Sequence, residues 1–122
     1  LALIDTMQSL DCPVITVGEG VVASMAAVIL ACGDHRQVYR HTQVLIHQLM
    51  GGTGMAQQTD IEIAAQHTAT MRAELDELLA EHGNLSAREF HELTERDCWC
   101  NAKRALELGL VDEVIAPSKK AL

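Results

Sequence analysis

Hydrophobic positions change their period several times along this chain. Leu3, Ile4, Met7 and Leu10 recur at three- and four-residue spacing, which predicts a helix over the first ten residues. No capping residue precedes it, so the sequence reads as the later part of a longer domain or a processed remnant of one. Cys12-Pro13 breaks the run, because a residue before proline is pushed out of the helical region. Val14 to Val17 is β-branched and predicts a buried strand. Gly18 and Gly20 mark a tight turn, and the apolar stretch Ser24 to Cys32 predicts a helix stopped by Gly33 at C′. Two short strands follow, Gln37 to Tyr39 and Gln43 to Ile46, separated by the polar Arg40-His41-Thr42.

The longest predicted element comes next. Thr59-Asp60-Ile61-Glu62 has the form of a capping box, and Ile61, Ala64, Ala65, Thr68, Met71, Leu75, Leu78 and Leu79 keep helical spacing up to Gly83. Such a helix extends roughly 33 Å at 1.5 Å per residue. It is too long for so small a body, so it lies across the body or projects toward a second subunit. Ser86-Ala87-Arg88-Glu89 is a second capping box, opening a short helix with Phe90 and Leu93. Asn101 caps a helix closed by Gly109, Leu110 to Ile115 reads as a last strand, and Pro117 to Leu122 as a tail. Strands alternate with helices throughout, so the fold class is α/β with a mainly parallel sheet, in a single domain over 1–122.

Composition narrows the function. Aromatic residues make up 2 % of the chain, which leaves the core to Leu, Val, Ile, Ala and Met. A formal net charge of −8 argues against nucleic acid or an anionic membrane as partner, since either needs a basic face. No apolar run reaches the length of a membrane span. Cys12, Cys32, Cys98 and Cys100 form no Cys-x-x-Cys pair, and the spacing Cys98-Trp99-Cys100 is too tight for a zinc knuckle, so they read as reduced thiols and no metal site is expected.

The chemistry centres on Val14 to Leu30. A strand, a glycine-punctuated turn, a serine and an apolar helix form the layout of an elbow that lifts the Ser24 hydroxyl off the end of a sheet. The following helix aims unpaired backbone N–H groups toward that hydroxyl. A serine nucleophile needs a base and a carboxylate to orient the base. His47 stands at the end of an apolar strand and is the best-placed base, whereas His35, His41, His67, His82 and His91 lie in predicted polar turns or helices. Any of the 17 acidic residues can supply the carboxylate; Asp97, just before Cys98-Trp99-Cys100, stands out only weakly on spacing.

Five ordered blocks decide between these options: Gly20-Val21-Val22-Ala23-Ser24-Met25, Ile46-His47-Gln48, Thr59-Asp60-Ile61-Glu62-Ile63, Thr94-Glu95-Arg96-Asp97 and Gly109-Leu110-Val111-Asp112-Glu113-Val114-Ile115. With Ile4-Asp5-Thr6-Met7-Gln8 before them, they resemble the Clp protease proteolytic subunit (ClpP) family over nearly the whole chain. The resemblance implies a ClpP/crotonase-type fold of repeated β-β-α units with a projecting handle helix. It implies Ser24 as nucleophile, His47 as general base and Asp97 as orienting acid, with the Met25 N–H as one oxyanion donor. Gln48, Leu49, Gly51 and Gly52 fall on the segment beside which substrate lies extended.

By the same resemblance the protein is an ATP-dependent serine endopeptidase subunit, a homo-oligomer of stacked heptameric rings fed by an AAA+ unfoldase, acting on peptides and unfolded proteins. It needs no cofactor and works in the cytoplasm or a bacterial-derived organelle. Departures from the family pattern point to a silent or truncated ring subunit as the alternative. The paired glycines of the second oxyanion donor are not among these residues, and Leu49 replaces the usual proline. The segment from Ser24 to His47 is about two residues short by comparison with the family, and Cys98-Trp99-Cys100 is atypical. A crotonase-like acyl-CoA enzyme is a third reading, since the fold is shared.

Overall fold

The computed structural model describes residues 1–116 and 118. In chain order the elements are α1 (Ala2–Gln8), β1 (Ile15–Gly18), β2 (Val21–Ala23), α2 (Met25–Ala31), β3 (His35–Tyr39), β4 (Gln43–Ile46), α3 (Gln58–His82), α4 (Ala87–Leu93), β5 (Cys98–Asn101), α5 (Ala102–Glu107) and β6 (Glu113–Ile115). The class is α/β, as the alternation predicts. The strands form two three-stranded sheets, with orders β1-β3-β6 and β2-β4-β5, in place of one. The first is parallel throughout; in the second, β2 and β4 are parallel while β5 runs antiparallel to β4. Each of the first two β-β-α units sends its first strand to one sheet and its second strand to the other.

Two strands were not legible in the pattern. Val21–Ala23, between the turn glycines and Ser24, is β2, and Cys98–Asn101, which the pattern assigns to no strand, is β5. Both are three or four residues long, too short for alternation to register. The last strand is shorter than expected: Leu110 and Val111 are buried but only Glu113 to Ile115 pair, with β3. The expected tail beyond residue 116 lies largely outside the described residues.

One cluster of Ile4, Leu30, Val38, Val44, Ile46, Leu79, Phe90, Leu108 and Leu110 makes up most of the core, with α2 packed between the sheets and α3. Gly33 follows α2 as expected, but the reason is contact rather than a left-handed φ. A Cβ there would meet Oγ1 of Thr16 at 2.5 Å, the same hydroxyl that donates to the Leu30 carbonyl at 2.7 Å. Gly109 does close α5 in the left-handed region, at φ +72°.

Helix α3 has 25 residues and extends roughly 37 Å. Its C-terminal half packs on α2 and α4 through Leu75, Leu78 and Leu79, whereas Ile61 and Ile63 in its N-terminal half are exposed. The Thr59 capping box does not form. The helix begins two residues earlier, Gln57 caps it without a side-chain bond, and Glu62 instead accepts from the Gln58 amide. The second box forms as predicted, Ser86 accepting from the Glu89 N–H and Glu89 accepting from the Ser86 N–H.

Arg36 joins three parts of this frame. Its guanidinium donates to the last carbonyls of α2 and α3, Ala31 at 3.1 Å and His82 at 2.8 Å, where the helix dipoles concentrate negative charge. It also grips Asp112, just before β6, with bonds at 2.7 and 3.0 Å. Those bonds hold the Asp112 carboxyl below its ordinary 3.8, outweighing the opposing effect of partial burial. A carboxyl depressed on folding stabilises the fold above its unfolded pKa, and that contribution is lost as the pH falls through the folded value. Asp112→Asn is therefore expected to cost about 2 kcal/mol at neutral pH, because it leaves a buried guanidinium short of its counter-charge. The gap between variant and parent should close as the pH falls through the lowered folded value and Asp112 itself takes up a proton, a comparison that urea midpoints across pH will make.

Candidate active site

Ser24 sits between β2 and α2 with φ 61° and ψ −129°, and it is the one non-glycine residue with positive φ among the described residues. Such a conformation costs a side-chain-bearing residue about 1–3 kcal/mol and persists only when its surroundings enforce it. Here the Ser24 N–H donates to the Leu45 carbonyl of β4 at 3.0 Å, while its own carbonyl accepts from Ala27 in α2 at 3.0 Å. The residue is pinned to the sheet on one side and to the helix on the other. It occupies the N-cap position, yet its hydroxyl makes no capping bond. Oγ is left exposed at the mouth of a cavity, beside the first N–H groups of α2, Met25 among them, which have no intrahelical acceptor.

His47 lines the same cavity, immediately after β4. Its Nδ1 lies 2.6 Å from the Gln48 carbonyl oxygen. A carbonyl only accepts, so Nδ1 carries a proton, and in the neutral ring Nε2 is left with its lone pair. That is the tautomer a base needs to take a proton from a serine hydroxyl. The cavity holds about 330 Å³ and its walls are mainly apolar, from Met25, Val28, Ile46, Leu75 and Leu79.

Asp97 is exposed, just before β5, on a neighbouring hollow that it shares with His47, Gln48, Thr94 and Arg96. Among the described residues it makes no hydrogen bond to the His47 ring, whose Nδ1 is occupied by the Gln48 carbonyl. Ser24 and His47 thus share one cavity, His47 and Asp97 share the next, and the three are not linked by hydrogen bonds in this state. Gln48 and Leu49 lie between the two hollows. The segment that the resemblance places beside an extended substrate is not a strand: no residue from His47 to Gln57 is in one, and Gly51 and Gly52 are exposed. Backbone donors there have no neighbouring strand to pair with among the described residues.

Pattern reading missed a group of charged residues on α3. Arg72 donates to the Gln48 side chain at 2.9 Å, to the His91 carbonyl at 3.1 Å and to Glu95 at 3.0 Å, and so ties the segment after His47 to the loop before Asp97. Gln48 strengthens the tie, its N–H donating to the Thr94 carbonyl and its amide to the Glu95 carbonyl. The hydrogen bond from Arg72 also holds the Glu95 carboxyl below its usual range. Asp76, one turn further on and buried, receives Nδ1 of His91 at 2.7 Å. The available signal was spacing: Arg72, Leu75, Asp76 and Leu79 fall on one helical face, and charges on a buried stripe call for partners. Among the described residues no three His, Cys, Asp or Glu side chains converge as a donor set for a cation, and no helix is long and apolar enough to cross a membrane.

Comparison with known proteins identifies the family. The family model described as Clp protease matches residues 1–118. The chain is 39 % identical over 118 residues to the ATP-dependent Clp protease proteolytic subunit of Lactococcus lactis subsp. cremoris (strain SK11), covering 94 % of this chain and 59 % of that relative. It is 41 % identical over 119 residues to the protein of the same name from Streptococcus pneumoniae (strain Hungary19A-6), covering 95 % of this chain and 61 % of the relative. The chain therefore spans about three fifths of the length of these relatives. The match extends from the first helix through the last strand and includes the strained serine, so this chain belongs to the Clp protease family.

Proposed function

We propose that this chain is the proteolytic subunit of an ATP-dependent Clp protease and hydrolyses peptide bonds with Ser24 as nucleophile. The observation that carries the reading is the strained Ser24, its hydroxyl free, opening onto the same cavity as a histidine whose Nδ1 faces the Gln48 carbonyl. His47 takes the Ser24 proton as Oγ attacks the peptide carbonyl, the Met25 N–H stabilises the developing oxyanion, and His47 returns the proton to the leaving amine. Water then releases the acyl group by the same route. Asp97 orients the ring and stabilises the imidazolium once the ring turns from the Gln48 carbonyl toward it. The apolar cavity beside Ser24 suits an apolar side chain on the acyl side of the cleaved bond.

The exposed N-terminal half of α3, with Ile61 and Ile63, and the irregular Gly51-Gly52 segment support assembly with further copies, as stacked seven-membered rings around a chamber. The relatives' name couples them to ATP, and we assign the same coupling here: an AAA+ unfoldase delivers unfolded protein to the chamber, in the cytoplasm or a bacterial-derived organelle. One observation favours a second reading, a catalytically silent ring subunit: Asp97 has no bond to His47.

Hydrolysis of fluorogenic short peptides with an apolar residue before the reporter, measured alongside native mass, tests the proposal. It expects steady turnover by an assembled species. A folded, assembled protein that cuts no short peptide, alone or with a Clp ATPase, would leave the silent subunit as the correct reading.

A further inference from the structure

Cys98 and Cys100 lie two residues apart on β5, so the strand places both side chains on one face and Trp99, exposed, on the other. Their sulfurs are 3.7 Å apart. Both thiols are free, Cys98 partly accessible and Cys100 buried. Positions two apart on a strand are separated by about 6.6 Å at Cα, within the upper reach of a disulfide. The sulfurs already converge, and closure to a bond of about 2.05 Å needs the strand to pucker.

We propose that Cys98 and Cys100 form a peroxide-responsive dithiol site whose oxidation to an intrachain disulfide lowers activity by shifting Asp97 relative to His47 across the hollow they share. The Cys98 thiolate attacks one oxygen of a hydroperoxide, the O–O bond breaks, and Cys98 sulfenic acid forms while the other oxygen leaves as water or alcohol. Cys100 gives its proton to solvent and attacks the Cys98 sulfur; the S–S bond forms, the S–O bond breaks, and the oxygen leaves as water. The sulfurs together give up two electrons and the peroxide takes them.

The order of attack follows from the surroundings. Burial, reinforced by the nearby Cys98, pushes the Cys100 thiol up to about 12, so it is a poor first nucleophile and acts as the resolving partner. A small strained ring is readily reduced again, which makes the change reversible by thiols.

The consequence follows from register. Cys98 pairs with Ile46 and Cys100 with Val44 across the β4–β5 ladder. His47 directly follows Ile46 and Asp97 directly precedes Cys98, so a pucker in β5 moves one of these residues against the other. A displacement of about 1 Å can cost about 10²-fold in rate. This control of activity rests on the proteolytic reading; the dithiol chemistry does not.

The test is titration of the whole protein with hydrogen peroxide, followed by alkylation of remaining thiols and mapping of the tryptic peptide 97–103, which contains both sulfurs and no other cysteine. The expected result is loss of two hydrogens from that peptide in step with a fall of about 10²-fold in peptidase rate, both reversed by dithiothreitol. Cys98→Ser, at a partly accessible position, should keep its rate under the same titration. Recovery of the peptide with both thiols free while Cys12 is oxidised, or with each sulfur oxidised separately, overturns the dithiol site. A disulfide with an unchanged rate overturns the control of activity. Absence of peptidase activity before any peroxide is added marks failure of the proteolytic reading, and mapping then decides the dithiol by itself.

Discussion

Ser24→Ala is expected to lower peptide turnover by roughly 10⁵- to 10⁶-fold, the scale on which an acyl-transfer enzyme loses its nucleophile. The fold should be untouched. The hydroxyl caps nothing, and the constraints on the residue come from its backbone, through the Leu45 carbonyl and the Ala27 N–H. Alanine also keeps a Cβ, so the strain at φ 61° remains and no stability is gained. Ser24→Gly separates the two effects. Glycine adopts positive φ without penalty, and it should be equally inactive yet more stable by about 1 kcal/mol. Peptidase rates and urea midpoints of the two variants check this. Turnover above background in Ser24→Ala would remove Ser24 from the chemistry. Equal midpoints in the two variants would mean that the surrounding contacts have already relieved the strain.

Asp97→Asn should lower turnover about 10³- to 10⁴-fold while changing stability by less than about 0.5 kcal/mol. The contrast follows from where Asp97 stands: exposed, with no hydrogen bond to the His47 ring. Its carboxylate does nothing for the resting fold, and its charge counts only when the imidazolium forms. The Gln48 carbonyl already holds Nδ1–H and so sets the tautomer, but a neutral carbonyl stabilises a cationic ring less than a carboxylate does. If Asp97→Asn keeps most of its turnover, the Gln48 carbonyl is the orienting group and the catalytic unit is Ser24 with His47. A pH–rate profile separates these cases, since loss of the carboxylate should weaken the imidazolium and shift the limb assigned to His47.

Much of the fold was legible because its signals are local. Ser86 and Glu89 announce α4 from three residues apart, Gly109 ends α5 with the φ that a Cβ disfavours, and β-branched runs mark β1 and β4, although Ile15 and Val17 of β1 are exposed and not buried as expected. The elbow was legible for the same reason, since a strand, two glycines and an apolar helix leave the serine between them little freedom. What escaped depends on contacts between distant segments. β2 and β5 are strands because β4 lies between them, and nothing within three or four residues encodes a neighbour. Thr59 and Glu62 have the letters of a capping box, yet the helix starts at Gln58 and passes through them, so local chemistry lost to two more helical residues. Arg72 and Asp76 became meaningful only once their helix was seen to face the cavity. Asp97 shows the limit most clearly: only the resemblance to the family implies a role for it, spacing does so weakly, and the role proposed for it requires a rearrangement of His47.

The most direct test of the central claim is labelling of the folded protein with a fluorophosphonate, followed by intact mass and peptide mapping. An adduct on Ser24, absent in His47→Ala, is the predicted result, because phosphonylation requires a hydroxyl activated by its base next to a working oxyanion site. A folded sample with no adduct, or with adduct elsewhere and Ser24 free, would contradict the account.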